Sequence, residues 1–138
     1  MSTGIIVSVL DKTRLEYSYL AGTTSQSIVL RPSINVASYY YLQLFIRVHE
    51  RNMSAGQSIR FALINSLPSS EDSREFVDTS NFLAVDLTSS APTSAPGLVS
   101  GVASAPGPYL KFVATVSQAS SPSTLYAEVS AVLLLRAA

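Results

Sequence analysis

Alternation of apolar and polar residues dominates this chain, and its longest instance runs over residues 38–50. Counting by twos, Tyr40, Leu42, Leu44, Ile46 and Val48 form an unbroken apolar row. The interleaved row reads Tyr39, Tyr41, Gln43, Phe45, Arg47 and His49. Successive side chains of a strand point to opposite faces, so the first row is expected in a core. The second row carries three aromatics, unlike ordinary solvent-facing surface. It is expected to be held against something.

The same period of two recurs along the chain, broken by turn residues. Strands are expected at 5–10, 14–20, 27–31, 58–64, 75–77 and 82–87, with two strong ones at 109–118 and 124–136. Pro32 cannot donate to a ladder and is expected to end the third of these. The last strand puts Leu125, Ala127, Val129, Ala131, Leu133 and Leu135 on one face. Its other face carries Tyr126, Glu128, Ser130, Val132 and Leu134. No segment shows a capped 3.6-residue period. The connections are mostly too short for crossover helices. The expectation is an all-β, antiparallel, jelly-roll-like sandwich of eight to ten strands with no long helix.

Residues 88–108 differ in composition. They hold Ser-Ala-Pro at Ser90, Ser94 and Ser104, together with Gly97, Gly101 and Gly107. Proline and glycine at this density exclude a helix and a central strand. A long surface excursion is expected, with one short strand at 98–103, inside a single domain spanning 1–138.

Composition narrows the function. The chain is 47% hydrophobic and 13% charged, with zero formal net charge. That is roughly half the charged share of an ordinary globular protein, and so neutral a surface favours association. The nine Lys and Arg residues are scattered, so no nucleic-acid footprint is expected. There is no cysteine for a disulfide or a thiol. No leader is read at the N-terminus, and no apolar run approaches a helical membrane span.

Candidate chemistry is sparse. His49 is the one histidine, and a catalytic base needs a nucleophile and an orienting carboxylate beside it. Serine is too abundant, at 24 residues, for proximity in sequence to mean anything. Glu71, Asp72, Glu75 and Asp78 crowd one loop and Asp86 follows, but Arg74 intervenes and the spacing is not that of a calcium loop. No glycine-rich phosphate loop is present. No cofactor, no metal and no catalytic residue is therefore expected.

The interface reading uses the residues better. Tyr39, Tyr41, Phe45, Arg47, Val132 and Leu134 are the candidate contact residues, because they would leave an apolar patch on a monomer. The strand at 5–10 is a candidate for addition to a neighbour's sheet. Two alternatives stand beside this. Segment 88–108 would bury both faces within the chain, or Tyr39, Tyr41 and Phe45 would form a platform for a carbohydrate.

The order of pieces resembles small structural proteins of tailed-phage particles. Those proteins have a Gly-Thr-Thr-Ser-type turn and short strand, here Gly22-Thr23-Thr24-Ser25 and 28–30. A long strand (40–48) follows, then two strands (109–116 and 125–135) joined by Ser121-Pro122-Ser123. Pro108-Tyr109-Leu110-Lys111-Phe112 is similar to a Tyr-Leu-Arg-Val-type strand of that group. The likeness covers about residues 21–136, and the Ser-Ala-Pro-rich stretch departs from it. It implies a non-enzymatic virion component assembled in the host cytoplasm, either a head decoration (cement) protein or a neck or tail subunit. Its implied partners are copies of itself, as a trimer or higher oligomer, and a major capsid or tail protein. Neither nucleic acid nor membrane is implied.

Overall fold

The computed structural model describes residues 4–17, 25–66, 82–117 and 124–137. Eight strands are present among them: β1 (Gly4–Tyr17), β2 (Ser25–Asn35), β3 (Tyr41–Asn52), β4 (Ser58–Ser66), β5 (Leu83–Thr88), β6 (Gly97–Ser104), β7 (Tyr109–Ser117) and β8 (Leu125–Arg136). They form two four-stranded antiparallel sheets, ordered β1-β8-β3-β6 and β2-β7-β4-β5. The expected all-β sandwich is what the chain adopts.

The pairing is nested: β1 with β8, β2 with β7, β3 with β6, β4 with β5. The chain is one long hairpin folded back between β4 and β5. It is then rolled so that β8 also pairs with β3, and β7 also pairs with β4. That is the jelly-roll arrangement.

The core lies between the sheets and comes from the predicted alternation. Leu42, Leu44, Ile46 and Val48 of β3 are buried with Leu125, Ala127, Val129, Ala131, Leu133 and Leu135 of β8. From the other sheet, Ile59, Phe61, Leu63, Leu110, Phe112, Ala114 and Val116 meet them. Phe61 and Phe112 stack with ring centroids 6.0 Å apart. Each such large side chain removed from water stabilises by about 1.5–3 kcal/mol.

Four expectations are corrected. Tyr40 is not core: it precedes β3 and stays 42% exposed. The strands expected at 5–10 and 14–20 are one strand, β1, continuous through two register shifts between Ser8 and Thr13. Bulges absorb the polar break of Asp11 and Lys12 without ending the ladder. Strand β2 likewise runs through Pro32, because it is an edge strand and its register shifts between Arg31 and Ile34. Finally, β6 is more than a strand within an excursion: it pairs with β3 over Tyr41–Val48. The turn at 21–24, the loop at 67–73, the strand at 75–77 and the link at 120–123 lie outside the described residues.

Candidate functional site: the outer face of the β1-β8-β3-β6 sheet

The residues opposite the core on this sheet come together by register. Gln43 faces Leu134 on one side and Val102 on the other; Phe45 faces Val132 and Ser100; Arg47 faces Ser130 and Leu98. Ile6 of β1 lies against Leu134. The upper half of the face is largely apolar, with Ile6, Leu134, Val132, Phe45, Tyr41 and Val102 set around Gln43. Ile6 is 71% exposed, Val102 68%, Leu98 53% and Tyr41 50%. The β2-β7-β4-β5 sheet presents a more polar exterior, with Ser27 bonded to Thr115 and Arg60 paired with Asp86.

Of the six candidate contact residues, the structure gathers five on this face: Tyr41, Phe45, Arg47, Val132 and Leu134. Tyr39 stands apart. It sits in the turn before β3, donates its N–H to the Val36 carbonyl (3.0 Å) and packs half-buried against the core. The row of three aromatics in sequence is thus not a row in space. Tyr41 instead meets Tyr40 edge-to-face, with centroids 4.8 Å apart. Sequence reasoning missed Ile6, Leu98 and Val102. The signal was present for the last two, since Leu98, Ser100, Val102 and Ser104 alternate with Val99, Gly101 and Ala103. Its neighbours' proline content hid it. The strand expected to seek a neighbour's sheet, 5–10, is paired with β8 of its own chain. Segment 88–108 does not cover the face. It supplies the edge of it.

The lower half of the face is a charged network. Lys12 pairs with Glu128 at 3.0 Å, and the Arg14 guanidinium lies 3.8 Å from the centre of the Tyr126 ring. The Tyr126 hydroxyl donates to Glu50 at 2.9 Å, and this bond to a carboxylate raises its pKa above the usual phenol value. Lys12 holds the Glu128 carboxyl below its ordinary range. Alternation places His49 on this face, where Nε2 lies 2.9 Å from Ser130 Oγ, and a register shift between Val48 and Glu50 brings Glu50 onto it as well. A histidine bonded to a serine is also found in hydrolytic triads, but here the nearby carboxylate, Glu128, is paired with Lys12. Among the described residues no three His, Asp or Glu side chains are placed to hold a metal ion. The carboxylates at 71, 72, 75 and 78 lie outside the described residues; Asp86 is bound to Arg60.

One shallow, open depression of about 600 Å³ marks the upper end of the face. Tyr41, Gln43, Val102, Ser104, Leu134 and Arg136 contribute to its wall. Tyr41 and the aliphatic Leu134 and Val102 stand there beside the polar Gln43, Ser104 and Arg136.

No family model and no curated protein matches the sequence. Solved structures do match the fold. The VP2 subviral particle of infectious bursal disease virus aligns with a TM-score of 0.59 at 13% identity, over 99% of this chain and 32% of that one. The Gx strain of the same virus gives 0.54 at 10% identity, over 99% and 32%. The Gt strain gives 0.53 at 10%, over 99% and 33%. This chain spans about a third of the length of those chains, and at such identities the likeness is one of fold.

Proposed function

We propose that this chain is a non-enzymatic structural subunit of a virion. It associates with copies of itself and with a larger protein lattice through the outer face of the β1-β8-β3-β6 sheet. The observation that carries the reading is the largely apolar half of that face, where Ile6, Tyr41 and Val102 are exposed around the half-buried Phe45, Val132 and Leu134. Monomers rarely display such patches without a partner. Its aromatic, aliphatic and arginine content is that of interface cores. The fold shared with a viral particle protein supports the virion setting. The finer placement is a capsid decoration (cement) or neck or tail component of a tailed-phage-type particle. That placement rests on the order of turns and strands, and its partners would be a major capsid or tail protein. Affinity would come from apolar burial at roughly 25 cal/mol per Å², reduced by the cost of association.

The test is the mass of the purified chain in solution beside Phe45→Asp, with circular dichroism of both. The expected result is an oligomeric wild type and a folded, monomeric variant. A wild type that is monomeric at working concentration, or a variant that still assembles, overturns the reading. A carbohydrate-binding module is the second reading, favoured by the depression beside Tyr41. It requires a saturable glycan signal from a monomer, lost in Tyr41→Ala.

A further inference from the structure

The two sheets have four edge strands, and three of them carry the features that block pairing with another chain. Strand β1 holds Asp11, Lys12, Arg14 and Glu16 and two register shifts. Strand β2 holds Arg31 and Pro32 and two register shifts. Strand β5 is six residues long and carries Asp86. Strand β6, Gly-Leu-Val-Ser-Gly-Val-Ala-Ser, has no charge, no proline and no register shift along β3. Among the described residues its far edge meets no backbone partner.

We infer that β6 is a docking edge for the β6 of a second copy, paired antiparallel about a two-fold axis at Ser100. The inference deepens the proposed self-association and rests on it. Ladder alternation sets the register. Ala105, opposite Tyr40, donates its N–H to the Tyr40 carbonyl at 2.7 Å, so odd-numbered residues of β6 direct their backbone groups to β3. Leu98, Ser100, Val102 and Ser104 then direct theirs to the free edge. A two-fold at Ser100 makes these residues the hydrogen-bonded pairs. It also sets Leu98 directly against the second copy's Val102, twice, on the outer face. Shifting the centre to Gly101 would instead face both apolar side chains with serines. The paired edge is continuous with the apolar half of the sheet face, because Val102 belongs to both. The result is one eight-stranded sheet across two subunits, the strand-addition mode of recognition.

Because the chain has no cysteine, Ser100→Cys is a clean reporter. Opposed residues of an antiparallel pair lie within disulfide reach. Mild oxidation is expected to convert most of Ser100→Cys to a covalent dimer and to leave Ser104→Cys monomeric, since position 104 would face 96. Ser100→Pro removes an outward N–H and no bond to β3, and proline is tolerated on edge strands, so it should keep the fold and halve the solution mass. Val102→Lys, at an exposed position, should do the same and guards against distortion by the proline. Equal cross-linking at 100 and 104, or no cross-link at 100 while the wild type is oligomeric, overturns edge pairing and leaves the sheet-face reading standing. Cross-linking at 100 that survives in the Phe45→Asp background supports the edge and counts against the face. A monomeric wild type overturns both.

Discussion

Single residues show where this fold tolerates polar groups and where it does not. Among the described residues, the Tyr17 hydroxyl is buried without a hydrogen-bond partner. An unsatisfied buried hydroxyl costs about 1–3 kcal/mol, so Tyr17→Phe should leave stability unchanged or raise it by about 1 kcal/mol, read from urea midpoints. A clear loss would mean the hydroxyl is satisfied in solution. On the opposite sheet, Arg60 grips Asp86 through two hydrogen bonds of 2.8 and 3.2 Å and depresses its carboxyl pKa. A lowered folded pKa contributes stability above the unfolded value, and that contribution fades as pH falls through the folded value. Both side chains are about half exposed, so solvent screening limits the effect. Asp86→Asn should cost no more than about 0.5 kcal/mol at pH 7, and less as pH falls through the folded carboxyl pKa. The raised Tyr126 pKa works in the other direction: its bond to Glu50 persists below the ordinary phenol value and is lost as pH rises through the folded one.

At the level of elements, the edges decide the behaviour. Strand β6 approaches β5 closely because Gly101 has no side chain. A Cβ there would lie 3.0 Å from both Leu83 Cδ1 and Val85 Cγ2. Gly101→Val should therefore destabilise by about 1–3 kcal/mol through overpacking, with Gly101→Ala milder. A valine that stabilises, as strand propensity alone would have it, would show that the two edges are not packed as described. The turn between β3 and β4 depends on a different glycine property. Gly56 takes a φ of 88°, and Gln57 closes the turn by accepting from the Ser54 N–H at 2.7 Å.

Over the whole molecule, the nested pairing makes nearly every strand contact non-local. The first strand pairs with the last, so loop-closure entropy must be met before any sheet is complete. Folding is expected in milliseconds to seconds, slower than a helical domain of this size, and stopped-flow refolding of the Phe45→Asp monomer would check it. The surface is nearly neutral and the proposed contacts apolar. Oligomer mass should accordingly change little between low and high salt, whereas contacts carried by exposed charge would weaken with screening.

The fold class was legible in the sequence because each strand writes its own buried face. Leu42 to Val48, Leu110 to Val116 and Leu125 to Leu135 each keep an apolar residue at every second position, and one sheet-facing row needs one core. Half of the site was legible for the same reason, since Phe45, Val132 and Leu134 had to lie opposite a core row. Alternation carries no information about which strands are neighbours. Ile6 and Val102 join the face only because β8 lies between β1 and β3, and β6 lies beyond β3. Tyr39 leaves it only because the chain turns before β3 begins. Continuity of β1 and β2 through polar or proline breaks was also invisible, because bulges depend on the partner strand. Local pattern determined which residues are buried; tertiary pairing alone decided which exposed ones stand together, because a strand's neighbours are set by the path of the whole chain.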